Sequence, residues 1–118
     1  SFFEHLWRVH NLLISYKVPR YVALAGLWHA VYGNSTFDNP TKARFPPDLV
    51  KDYIGVEAED LVAKFNALPQ PRVDAIVQLK DLNLAFIELA NLWDQNPDGR
   101  HNEKISRLTL LIEDLKNE

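Results

Sequence analysis

Two histidines and an aspartate, far apart along the chain, are the residues whose types and positions best suit chemistry: His5, His29 and Asp81. Each lies among apolar residues at the three- and four-residue spacing of one helical face, so each is predicted to point inward. A buried polar group needs a partner, because leaving it unpaired costs roughly 1–3 kcal/mol. If the three side chains meet, two imidazoles and a carboxylate suit Mn, Fe, Zn or Co and leave coordination positions open for water and substrate.

A hydrogen-bond network without any metal is the alternative for the same three residues. In that arrangement both imidazoles are neutral, and Asp81 bonds to one of them or to a backbone amide. Helical periodicity places each side chain on a face and does not tell whether the faces converge, so the metal and the network both stay open.

The elements that must position these residues are helices. His5 belongs to a helix predicted over about Phe2–Tyr16, His29 to one over Val22–Asn34, and Asp81 to the middle of the longest, about Arg72–Trp93. Because no stretch alternates in the manner of a strand, the sequence predicts an all-α, compact bundle of about five to six helices. The remaining predicted helices are Pro47–Tyr53, Val56–Leu68 and His101–Lys116.

Length and composition set the outer limits. The chain has 118 residues, of which 47% are hydrophobic and 25% charged, so we expect one helical domain over 1–118. With no cysteine, a disulfide framework and thiolate-bound metals are excluded, and a cytoplasmic protein is expected. The net charge of -3 argues against nucleic-acid binding, and no apolar run reaches the ~20 residues that span a membrane. Because Ser1 already stands in helical sequence, we expect the native chain to extend beyond it.

Three stretches of the sequence resemble a known family. His5–Val9 followed by Ala25–Ala30 resembles the opening of the HD-domain superfamily of metal-dependent phosphohydrolases, and Val77–Asn83 is similar to that family's final element. Ile54–Val62 looks like the segment between them. The likeness is closer still to small HD-like domains whose second signature reads roughly Ala-Gly-Leu-(Phe/Trp)-His-(Ser/Ala)-Val-Tyr-Gly.

The resemblance implies an HD-like fold with His5, His29 and Asp81 as metal ligands. It also shows a departure, because Ala30 stands where the family's catalytic sites have the Asp of the His-Asp pair. Alanine has no donor atom, so the implied site is reduced to one metal with three protein ligands. A two-metal site would need a substitute ligand, for which the candidates are Glu57, Glu59 and Glu88.

The chemistry that the resemblance implies is hydrolysis of a small phosphate ester or nucleotide. A bound metal would acidify a water and polarise the phosphoryl oxygen, while Arg44, Lys42 or Lys80 neutralises charge and Tyr32 holds a substrate oxygen. The long loop over Asn34–Pro47 would close over the substrate. The competing interpretation gives these three basic residues ordinary solvated positions and gives Tyr32 a packing role.

Two other functions fit the same residues. The first is a catalytically degenerate HD-fold module, free of metal, that binds a ligand or uses its last helix to form a homodimer. The second is a non-haem iron oxygenase of HD type, since two histidines and a carboxylate also suit iron. The substrate, the metal, the oligomeric state and the pathway are not specified by the sequence.

Overall fold

A computed structural model describes residues 1–32 and 45–118, and the structural statements below concern these ranges. Within them the chain folds as seven helices and no strand, which confirms the all-α prediction. None of these helices has the length and apolar character needed to cross a bilayer. The helices are α1 Phe2–Ser15, α2 Arg20–Leu27, α3 Pro47–Ile54, α4 Val56–Ala67, α5 Arg72–Leu79, α6 Leu82–Asp94 and α7 Asn102–Lys116.

The predicted long helix over Arg72–Trp93 is two helices. Lys80 adopts a left-handed backbone conformation with φ of 55° and ends α5. Asp81 then begins α6 as its N-cap, and its Oδ1 accepts a hydrogen bond of 3.0 Å from the backbone N–H of Leu84. Aspartate is among the residues most favoured at this position, because its oxygen satisfies a backbone donor that has no partner inside the helix. Asp81 is therefore a cap, not a carboxylate in the middle of a helix.

Helix α1 packs against α2 through a glycine. Val9 and Leu13 are fully buried on the inner face of α1, and Gly26 of α2 lies directly opposite. A Cβ atom built on Gly26 would overlap with Leu13 Cδ1 and would be in van der Waals contact with Val9. The missing side chain at Gly26 thus lets the two backbones approach, and this close approach brings His5 and His29 near each other.

Helix α6 runs through the centre of the described fold. It packs against α1, α2, α4, α5 and α7, and Leu84, Ile87 and Ala90 on it are buried. The face of α6 toward α1 and α2 carries polar side chains instead. This face is where the candidate site lies.

Candidate functional site

Three polar residues on one face of α6 form the floor of the site. Glu88, Asn91 and Asp94 are spaced three residues apart, which places them on neighbouring turns of the same helical face. Glu88 and Asn91 are only 3% and 6% exposed, so their polar atoms depend on protein partners. Those partners come from α1, from the turn after α2 and from α5.

His5 of α1 contacts α6 through both ring nitrogens. Its Nδ1 lies 2.6 Å from Asp94 Oδ2, and its Nε2 lies 2.9 Å from Asn91 Oδ1. Arg8, one turn further along α1, donates from Nε to the other Asp94 oxygen. Burial alone would raise the pKa of Asp94, but the hydrogen bonds from Arg8 and His5 hold this pKa below its usual value. Asp94 is therefore an ionised acceptor for both residues at neutral pH.

His29 lies beside His5, in the turn that follows α2. Its Nδ1 donates to the carbonyl oxygen of Gly26 at 2.7 Å, and its ring packs edge to face against His5 and Phe65 at centroid distances of 5.7 and 5.4 Å. The Asn91 side chain is close enough to the His29 ring to influence its pKa. Burial, above all, lowers the pKa of His29 to about 4. The ring is accordingly neutral at pH 7.

Asn91 connects the two imidazoles to a buried ion pair. Its Nδ2 donates to Glu88 Oε1 at 3.0 Å, and the same carboxylate oxygen accepts from Arg72 Nη1 at 3.2 Å. The Arg72 guanidinium also lies 4.5 Å above the ring of Phe65, where its charge is attracted to the aromatic face. We call this cluster the Asn91 network, and its members are His5, His29, Arg72, Glu88, Asn91 and Asp94.

The structure brings together two of the three predicted metal ligands. His5 and His29 meet, but Asp81 does not join them. Asp81 caps the start of α6 and lies near Lys64, while the imidazoles contact Asn91 near the other end of that helix. At 1.5 Å of rise per residue the two positions are roughly 15 Å apart along the axis. Within the described ranges, no group of three His, Cys, Asp or Glu side chains is placed to hold a metal ion.

The predicted substrate-contacting residues are dispersed. Tyr32 is buried, and its hydroxyl donates a hydrogen bond of 2.8 Å to Glu59 Oε2. Burial raises the pKa of Tyr32, and this hydrogen bond raises it further. This geometry agrees with the packing role. Lys80 is exposed at the junction of α5 and α6. Arg44 falls outside the described residues, as do Lys42 and most of the predicted loop.

The three candidates for a substitute ligand have separate surroundings. Glu57 is exposed in the first turn of α4, and Glu59 is bonded to Tyr32. Glu88 alone among them belongs to the Asn91 network. Asn91 and Asp94 were not singled out from the sequence, although the spacing Glu88, Asn91, Asp94 on an otherwise apolar helix is a signal that could have indicated them.

An apolar cavity of about 280 Å³ lies next to the Asn91 network, between α1 and the end of α2. Leu6 and Ala30, the neighbours of His5 and His29 in the chain, both line it. Ala30, at the position of the implied metal-binding Asp, thus contributes a methyl group to an apolar wall. We call this space the aromatic cavity, and its lining residues are Phe2, Phe3, Leu6, Trp7, Leu27, Trp28, Ala30, Val31 and Phe45.

The fold and the site together define an all-helical domain with a buried histidine–amide network beside an apolar cavity. The chain belongs to the family described as Domain of unknown function (DUF6817), whose model matches residues 1–70. That range includes His5, His29 and every residue named above as lining the aromatic cavity. Searches of curated proteins and of solved structures give no match.

Proposed function

We propose that this chain is a binding module, built on the HD-like fold that its sequence resembles, and that it has no hydrolase activity. In this proposal the Asn91 network stabilises the fold and holds no catalytic metal. The observation that carries the proposal is the position of the Asn91 amide, whose oxygen faces the His5 ring nitrogen that a metal would need.

The orientation of the Asn91 amide follows from its neighbours. Glu88 accepts a hydrogen bond from Asn91 Nδ2, so Asn91 Oδ1 points to His5 Nε2. An amide oxygen only accepts, and therefore the 2.9 Å contact is a hydrogen bond when Nε2 carries the hydrogen. Asp94 Oδ2 lies 2.6 Å from the other ring nitrogen, Nδ1. Asn91 Oδ1 at 2.9 Å and the Gln95 amide nitrogen at 3.3 Å both lie against Nε2, so protein side chains already fill the position beside this nitrogen that a metal would take.

The donor set does not fit the metal that the resemblance implies. Ala30 offers a methyl group, Asn91 offers a neutral amide, and Asp81 is occupied in capping α6. The two carboxylates of the network are engaged elsewhere, Asp94 by Arg8 and Glu88 by Arg72. A hydrolytic metal would be left with two imidazoles, which is fewer ligands than such sites use. An iron oxygenase centre would likewise lack a free carboxylate.

One observation favours metal-dependent hydrolysis of a phosphate ester as a second candidate. The Nδ1 atoms of His5 and His29 are bonded to a carboxylate and to a backbone carbonyl. Metal-bound histidines have the same kind of partners on their second nitrogen. The same hydrogen bonds also orient a ring in a purely structural network, so they do not distinguish the two candidates. A measurement of metal content does.

Metal analysis separates the two candidates. The protein is purified without chelator and without a metal-affinity column, as the wild type, as His29→Ala, and as His10→Ala for a matched control outside the network. We expect no stoichiometric metal in any of them, no turnover of p-nitrophenyl phosphate with Mn, Mg or Fe supplied, and a lower Tm in His29→Ala alone. Metal present in the wild type and in His10→Ala but lost in His29→Ala would refute the proposal.

A further inference from the structure

We infer that the aromatic cavity is the ligand site of this module and that it takes an uncharged aromatic molecule of about two fused rings. The inference rests on the proposed function, because it assigns the binding role to the wall in which Ala30 replaces the implied metal ligand. The size of the cavity and the charge and aromatic character of its lining indicate the chemical class of the ligand.

The size of the cavity indicates a small molecule. An apolar protein cavity of about 150 Å³ holds one benzene ring, and the aromatic cavity measures about 280 Å³. Two fused rings fill such a space. A second protein chain is a poorer fit, since a standard interface uses about 20–30 residues from each partner and nine residues line this cavity.

The described lining disfavours a charged ligand. Within residues 1–32 and 45–118, none of the nine side chains that line the cavity is ionisable. Transfer of an ionised group from water into such surroundings is strongly unfavourable unless a partner charge is present. A phosphate, a sulfonate or a carboxylate would find no partner charge among these described side chains.

Aromatic rings that are held in place favour a planar ligand. Trp28 packs edge to face against Phe45 at 5.7 Å and stacks on Tyr53 at 6.1 Å. Across the cavity, Trp7 of α1 is supported by an edge contact with His10 at 5.5 Å. Aromatic pairs gain stability from stacked and edge-to-face geometries beyond the area that they bury. A planar aromatic molecule in the cavity has an indole available on each of the two helical walls, Trp7 from α1 and Trp28 from the end of α2.

The test is a fluorescence titration of the full chain, kept metal-free with EDTA, using the neutral two-ring probe 1-naphthylamine. We expect saturable enhancement with one probe per chain. Neutral 2-naphthol should displace the probe at a concentration at least tenfold lower than anionic naphthalene-2-sulfonate. Equal displacement by the two competitors, or enhancement that does not saturate, would overturn the inference.

Variants at Ala30 locate the site. Ala30→Leu fills the cavity with apolar atoms, and Ala30→Asp puts a carboxylate into it; each should weaken probe binding at least tenfold. Ala63, exposed in α4 and outside the cavity, offers the matched controls Ala63→Leu and Ala63→Asp, which should stay within twofold of the wild type. Circular dichroism checks that each variant is folded, and if Ala30→Asp is not, Ala30→Leu decides alone.

Different results refute the two proposals. Undiminished binding in folded Ala30→Leu would remove the aromatic cavity as the ligand site whatever the metal content is. Light scattering tests for a dimer that binds no probe until the dimer dissociates. That result would assign the cavity to a second copy of the chain and would overturn the inference. Stoichiometric metal, by contrast, would refute the proposed function and leave the naphthol result intact.

Discussion

Lowering the pH from 7 to 4 places a positive charge on His29, and we expect that charge to weaken the folded state. The ring is buried, its pKa falls from the ordinary 6.5 to about 4 chiefly because of that burial, and His5 and Arg72 lower it further by repulsion. A difference of about 2.5 pKa units between the unfolded and folded chain corresponds to roughly 3 kcal/mol, at 1.36 kcal/mol per unit.

The sign follows from proton binding. Between pH 6.5 and 4 the unfolded chain carries the His29 proton and the folded chain does not, so the free energy of unfolding rises with pH across this window. The stabilising contribution is fully present above pH 6.5 and is lost as the pH falls towards 4. Asp94, whose pKa is lowered in the folded state, adds a loss of the same sign at lower pH.

Urea unfolding at a series of pH values measures the effect. His29→Gln keeps a side-chain donor for the Gly26 carbonyl and cannot be protonated, while His10→Gln removes a histidine outside the network. The wild type and His10→Gln should each lose roughly 3 kcal/mol more than His29→Gln between pH 7 and pH 4. A difference between wild type and His29→Gln that stays constant over this range would show that His29 does not titrate as a buried neutral ring.

Two further predictions concern packing and capping. Gly26→Ala should lower the free energy of unfolding by about 1–3 kcal/mol although alanine is the better helix former, because the added Cβ overlaps with Leu13. Urea denaturation measures the loss, and a second substitution, Leu13→Ala, in the same chain should relieve part of it. A Gly26→Ala variant more stable than the wild type would contradict the close approach of α1 and α2. Asp81→Ala should lower the free energy of unfolding by about 1 kcal/mol, because it removes the N-cap of α6, while Asp81→Asn should stay near the wild type. A change of probe affinity or metal content in either variant would instead connect Asp81 with the site.

Much of the helical framework follows from the sequence. The predicted boundaries for α1, α4 and α7 agree with the structure to within a few residues, because each helix has a clear apolar face and ends near proline, glycine or a polar turn. The division between α5 and α6 was missed for a physical reason. It depends on the left-handed conformation of Lys80 and on the cap formed by Asp81, and neither residue interrupts the apolar periodicity on either side.

The same missed boundary explains the error in the site. In one continuous helix, Asp81 is a carboxylate inside an apolar stripe and attracts attention as a ligand; at a helix start it is an ordinary cap. His5 was correctly predicted to face inward, because apolar spacing fixes the face of a helix. His29 is buried as predicted, but the helix predicted over Val22–Asn34 ends at Leu27, so His29 lies in a turn and not on a helical face. Which residue of α6 the two histidines meet depends on how the helices are shifted along one another, and the apolar spacing within each helix does not encode that shift.

The Asn91 network and the aromatic cavity use opposite properties of neighbouring residues. On α1, His5 turns to α6 and Leu6, about 100° further round the helix, turns to the cavity. After α2, His29 bonds within the network and Ala30 lines the cavity. A carboxylate at position 30 would put a charge into the apolar wall, whereas a methyl group closes that wall and leaves both imidazoles to Asn91. Ala30 thus allows a closed polar network and an apolar cavity to lie side by side.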